Sequence, residues 1–176
     1  MTFLTVLLVA LLIYAGYVVK LNHDLLVNKD LLLRGLAGVD ALIIKKNLKI
    51  LDILGYAQET MQKEATLINE LFNIRHDINK ITPKIANVPQ RYEMQKDFDR
   101  KIDLLLEAVS RYPELKNNAG FQSSLREFAQ MQQVFEEKVN FYNTVVDKLN
   151  WLIHTFPSSV LAQMSHTKEP PPRYEK

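Results

Sequence analysis

The stretch "FQSSLREFAQMQQVFEEKVNFYNTVVDKLNWLIHTF", residues 121–156, decides the fold. Phe121, Leu125, Phe128, Gln132, Phe135, Val139, Tyr142, Val146, Leu149, Ile153 and Phe156 return alternately four and three residues apart. This is a heptad seam with one polar interruption, the pattern of a coiled-coil helix that buries a single stripe. Asn140, Asn143 and Asn150 flank the stripe, with Asp147 on the same line. A polar strip for a partner is one reading. The other is that each amide bonds a neighbouring helix or a loop carbonyl and fixes register. An unsatisfied buried amide costs about 1–3 kcal/mol, which favours the second, with Asn143 beside the core Tyr142 as its best case.

Before this helix, "YPELKNN" (residues 112–118) is a turn. Pro113 forces Tyr112 out of the helical region, Leu115 is placed to plug the end of the core, and Asn117 or Asn118 is the expected N-cap. Tyr112 and Pro113 are read first as helix termination, with recognition as the alternative. A third helix carries Met94, Phe98, Ile102, Leu105, Val109 and Tyr112 and closes at Pro113. A second runs from about Leu48 along Ile50, Leu54, Ala57, Met61, Ala65, Ile68, Leu71, Ile74, Ile78 and Ile81. It stops near Pro83, and residues 82–89 form the loop. The first carries Val18, Leu21, Leu25, Leu32, Val39 and Ile43. Gly35 and Gly38 each weaken it by up to about 1 kcal/mol and mark a bend or a close helix approach. Short connections make neighbours antiparallel, so the expected soluble part is an up-down-up-down four-helix bundle. Pro157 ends the last helix, Ser158 caps a short turn through Ala162, and "HTKEPPPRYEK" is expected to be disordered.

The opening "MTFLTVLLVALLIYAGYVV" holds no charge, and at about 1.5 Å per residue it nearly matches the roughly 30 Å hydrocarbon layer of a bilayer. A cleaved signal peptide is the alternative. No Lys or Arg precedes the run, the run exceeds a usual signal core, and Ala15-Gly16 is a poor cleavage site, so an anchor is expected. The expected fold class is all-α, an N-terminal transmembrane helix continuing into the bundle. Residues 1–20 are the anchor, 21–165 the bundle and 166–176 the tail. Lys20, Lys29 and Arg34 follow the span, which places a single-pass protein in the cell membrane with its bundle on the cytoplasmic side; the periplasmic or extracellular side is the alternative.

A formal net charge of +2 announces no nucleic-acid surface, and the absence of cysteine excludes disulfides and thiolate chemistry. His23, His76, His154 and His166 lie in separate segments without a metal-ligand spacing. Asp97, Asp99 and Asp103 cluster in the third helix, where Asp99 and Asp103 are expected to share a solvated face with Lys96 and Arg100 nearby. Lys45, Lys46 and Lys49 form the one basic patch, Trp151 is expected to pack at the end of the bundle, with an interfacial anchor as alternative, and "EPPPR" can form polyproline II. No phosphate loop, nucleophile elbow or dinucleotide fingerprint is present. No catalytic, cofactor-binding or metal-binding residue is assigned, no cofactor is expected, and the protein is not expected to be an enzyme.

"YPELKNNAGF" followed by "FYNTVVDKLNWLIHTFPSS" resembles the C-terminal half of the LemA family, with its Tyr-Pro-x-Leu-Lys-x-Asn-x-x-Phe, Tyr-Asn, Asn and Phe-Pro-Ser elements. Tyr112, Pro113, Leu115, Lys116, Asn118 and Phe121 carry the match on the turn. Tyr142, Asn143, Asn150 and Phe156 to Ser158 carry it on the last helix, and Asp40 and "GYA" at residues 55–57 resemble positions in the first half. The chain departs from the pattern in "ALIIKKNLKILDIL", about one turn shorter and without the family's Leu-Ile-Pro-Asn element, and in Leu149, where a tyrosine is common. The resemblance implies an N-terminally anchored antiparallel helical bundle and no established catalytic activity. Tyr112, Pro113, Lys116, Asn118, Asn143, Asn150, Phe156 and Pro157 are its candidate interaction or register residues. The expected function is a membrane-anchored interaction or scaffold protein. Its partners are the lipid bilayer and another membrane protein or assembly, with a second copy as a further candidate and no nucleic acid. The alternatives are an enzyme built from scattered carboxylates and histidines, and a membrane-shaping protein that oligomerises through its span, for which Gly16 lacks a small partner four residues away.

Overall fold

The computed structural model describes residues 2–164 and 171–174, and over them every regular element is a helix. Helix α1 covers Thr2–Thr60, α2 Ala65–Lys80, α3 Val88–Val109, α4 Pro113–Asn117, α5 Ala119–His154 and α6 Ser158–Met164. Short 3-10 turns at Gln62–Glu64 and Ile85–Asn87 complete the order.

The 59 residues of α1 form one rod of about 90 Å. Its N-terminal section is long and apolar enough to cross a membrane, and Phe3 to Tyr17 are all exposed. From Leu21 onward the same helix buries one face, through Leu25, Leu32, Leu36, Val39, Ile43, Ile50, Ile53, Leu54 and Ala57. The helix continues through Gly35 and Gly38, and no new helix begins at Leu48, which corrects the expected second helix start. Of the bend or close approach expected at the glycines, Gly35 supplies the close approach: a β-carbon there would lie 3.5 Å from both the ring of Phe141 and the Cα of Tyr142.

The chain reverses where no reversal was expected. Met61, at φ −103° and ψ 61°, ends α1, and α2 folds back along it, so that Asn47 Nδ2 donates to Asn79 Oδ1 at 2.9 Å. The segment read as one helix from Leu48 to Ile81 is thus the end of α1 and the whole of α2. Neither glycine nor proline marks the turn, and the apolar spacing runs through Ala57, Met61 and Ile68 because both arms face one core with Met61 as its fully buried plug.

Pro89, expected in the loop, opens α3, where its missing N–H costs nothing. Helix α3 ends at Val109, three residues before Tyr112, and runs antiparallel to α2, with Lys101 on Glu70 at 2.5 Å and Arg111 on Glu64 at 3.3 Å. Pro113 takes the first turn of α4, Leu115 is the buried plug, and the Asn118 side chain accepts from the Phe121 N–H at 3.0 Å to cap α5. Helix α5 lies antiparallel on α1. Tyr56 meets Phe121 edge-to-face at 6.1 Å near one end, and Gly35 meets Tyr142 towards the other.

The α5 seam is buried at Phe121, Phe128, Phe135, Val139, Tyr142, Val146, Leu149 and Ile153, with Leu125 and Gln132 half-buried. Phe156 is not its last member: α5 stops at His154, and the turn leaves Phe156 74% exposed. Of the tail, residues 166–170, 175 and 176 lie outside the described residues. Pro171 to Tyr174 do not bear out the expected disorder, for Tyr174 is fully buried in the same core as Leu21 and Leu25. One aromatic ring, carried on a proline run that loses little entropy on ordering, outweighs the polar composition.

Candidate functional site

Where α1, α3 and α5 face one another, charged and amide side chains interrupt the apolar core. Lys46 follows Ile43 by three residues on the inward stripe of α1, and its side chain is 0% exposed. A charged amine so placed needs compensation from every direction. Its Nζ lies 3.0 Å from Asp99 Oδ1 and donates to Gln132 Oε1, and the rings of Phe135 and Phe128 stand 4.5 Å and 5.6 Å away in cation–π geometry. Asp99 is held in turn by Gln95 Nε2 at 2.8 Å. Desolvation lowers the Lys46 pKa below the ordinary lysine value; the opposing pull of Asp99 and Glu136 is the smaller effect.

Two turns of α1 earlier, Asp40 binds Arg91 of α3, whose side chain is almost wholly buried. The Arg91 Nε and Nη1 have no hydrogen-bond partner among the described residues, nor does the phenol oxygen of Tyr174. Tyr174 lies within electrostatic reach of this pair. Its ring stands edge-on to Tyr142 at 5.5 Å and to Tyr92 at 6.2 Å. Its backbone is gripped at both groups by one side chain, for its N–H donates to Asn143 Oδ1 at 2.9 Å and its carbonyl accepts from Asn143 Nδ2 at 2.6 Å. Tyr142 Oη donates to the Pro172 carbonyl at 2.9 Å, and Arg173 pairs with Asp147 on the surface. Burial pushes both the Tyr174 and Tyr142 phenols above the ordinary tyrosine value. The C-terminal segment is therefore a strap across α5, and Asn143 is its clasp.

A cleft of about 310 Å³ opens beside the strap between α3 and α5, lined by Tyr92, Gln95, Asp99, Gln132, Phe135 and Glu136 among others. Its mouth carries both signs of charge, from Asp103 and Glu136 to Lys96 and Arg100.

The candidate residues named from sequence do not converge. Tyr112, Pro113, Lys116 and Asn118 lie at the far end with Glu64, to which Tyr112 Oη donates; that bond raises the phenol's pKa. Asn143 lies at the strap. Asn150 and Phe156 are exposed and Pro157 half-buried at the opposite end. Of the three flanking asparagines, Asn143 bonds a backbone, though of the C-terminal segment rather than of a helix or loop, while Asn140 and Asn150 face solvent. The basic patch does not exist: Lys46 is buried, Lys49 bridges Asp52 at 2.9 Å and Glu127 at 2.8 Å, and Lys45 alone is exposed. Residues 45 and 49 share a helix face that residue 46 does not. Asp99 turns inward instead of lying on a solvated face with Asp103, and Trp151 is 57% exposed. The three described histidines, His23, His76 and His154, are all exposed, and no cluster of three or more potential metal ligands occurs among the described residues.

The LemA family model matches residues 35–175. The chain belongs to the LemA family. In this LemA chain the matched region begins at Gly35, where α1 meets Tyr142, and runs past Tyr174, so it encloses the whole strap and both buried cations. The exposed apolar section of α1 lies outside it. A search of curated proteins finds no match.

Sequence reasoning missed Lys46, Gln95, Arg91 and Tyr174. Lys46 could have been found as a charge inside an otherwise apolar inward stripe. Tyr174 carried one signal, a lone aromatic in a polar, proline-rich tail.

Proposed function

We propose that this LemA-family chain is a membrane-tethered helical scaffold, in which the first section of α1 crosses the bilayer and α1, α2, α3 and α5 form an antiparallel four-helix bundle that holds another membrane protein or assembly. The observation that carries this reading is the continuity of α1. No loop or break separates the exposed apolar section from the face buried in the core, so force or position at the membrane passes directly into the packed helices. The positive-inside bias of Lys20, Lys29 and Arg34 supports a cytoplasmic bundle. Two measurements test the proposal. Gentle detergent extraction of native membranes at native abundance should co-purify a stoichiometric second protein, and recovery of the chain alone counts against the scaffold. Protease added to sealed membranes of each orientation should cut the helical part only where the cytoplasmic face is outward.

A further inference from the structure

The end of the molecule formed by the C-terminus of α5 and by α6 carries an apolar face. Phe156, Val160 and Met164 recur every fourth residue and are 74%, 49% and 75% exposed, while Ser158 and Ala162, on the opposite side, are buried. From Thr155 to Ser165 the sequence contains no charged residue. Trp151, one turn before the end of α5, is exposed as well.

The pairing of α1 with α5 fixes where this face lies. Tyr56 crowds Gly120, Lys46 meets Gln132, Gly38 meets Lys138 and Gly35 meets Tyr142, so each step along α5 is a step back along α1. Continued at the common rise of 1.5 Å per residue, the pairing sets His154 beside roughly residue 23 and Phe156 lower still. Helix α6 packs on both α5 and α1. Burial along α1 begins at Leu21, directly after the exposed apolar section ends. A headgroup layer about 5–7 Å thick spans only about four helical residues beyond the hydrocarbon, which is the level of this face.

We propose that the outer face of α6, formed by Phe156, Val160 and Met164 and flanked by Trp151, lies in the headgroup layer of the bilayer that α1 crosses, so that the chain touches the membrane at two points. The inference rests on the membrane-spanning reading of α1. An uncharged amphipathic helix with a tryptophan at its edge suits a lipid interface. Two contacts fix the tilt and rotation of the rod, which a single spanning helix leaves free.

Trp151 is the sole tryptophan, so the intact protein reports on itself. Full-length protein in phosphatidylcholine–phosphatidylglycerol vesicles, with lipids brominated either near the headgroup end or near the tip of the acyl chain, should show blue-shifted Trp151 emission. Shallow bromines should remove most of the intensity and deep ones little. V160E/M164E alters only exposed positions; with helicity unchanged by circular dichroism, it should restore the emission to that of a water-exposed indole. Protein that stays on salt-washed vesicles but is not quenched overturns this inference and leaves the span intact. Protein that washes off the vesicles removes the span and the inference together. Blue-shifted, unquenched emission with crosslinking that rises with protein-to-lipid ratio assigns the face to a second copy and overturns the lipid assignment.

Discussion

Lys46 and Arg91 present the same physical problem, a cation removed from water in a helical core, and the protein solves it in two ways. Around Lys46 the partners all come from long helices: Asp99, Gln132 and two phenylalanine rings. Around Arg91 only Asp40 is built into a helix face, two nitrogens stay unpartnered among the described residues, and the neighbouring Tyr174 belongs to a strap held by Asn143, Tyr142 and Asp147. The first arrangement is a fixed part of the core. The second depends on a segment outside the helices, held by side-chain contacts, so releasing it breaks no helical hydrogen bond.

Removing the carboxylate from each pair separates the two arrangements. Asp99→Ala leaves Lys46 without its anion and should lower global stability by about 3–5 kcal/mol, read from urea unfolding by circular dichroism in detergent. Adding Lys46→Met should recover most of the loss, since an apolar residue of similar length replaces a charge that no longer has a counter-charge. Asp40→Ala should cost less, about 3 kcal/mol, because the Arg91 slot can admit water by releasing Tyr174. Trypsin distinguishes them further: the Arg173–Tyr174 bond should be cut faster in Asp40→Ala and at the native rate in Asp99→Ala under folding conditions. Equal sensitivity of both would erase the distinction.

Asn143→Ala removes the clasp alone. Loss of two backbone contacts should weaken strap closure by about 1–3 kcal/mol, seen as roughly fivefold to hundredfold faster cleavage at the same bond with little change in helix unfolding. The smallest effect is one of pH. The docked Tyr174 phenol has a pKa raised above 10.0 by burial. The released strap therefore loses its proton before the docked one does. Closure is at full strength below pH 10 and is lost as pH rises above it through the docked pKa. A nitroxide at Arg173→Cys should become mobile over that interval, and Tyr174→Phe should abolish the transition. Mobility that appears below pH 10 would assign the opening to another group.

The identities of the elements followed from local patterns. The α5 heptads, the cap at Asn118, the stop before Pro83 and the exposed apolar opening of α1 are all properties of neighbours in sequence, so periodicity and proline placement predict them. The reversal at Met61 left no such mark, because residues on both sides of the turn supply the same core with the same spacing.

The sequence by itself determined an all-helical chain, an apolar section long enough to cross a bilayer, and membership of a family through Tyr112–Phe121 and Tyr142–Ser158. Only tertiary structure decided that α1 runs unbroken to Thr60, that Lys46 and Asp99 turn inward, and that Tyr174 returns to Asn143. The physical reason is range. Helical periodicity is written over a few residues, whereas a buried charge or a docked tail is stable only through partners dozens of positions away, and nothing in its own neighbourhood names them.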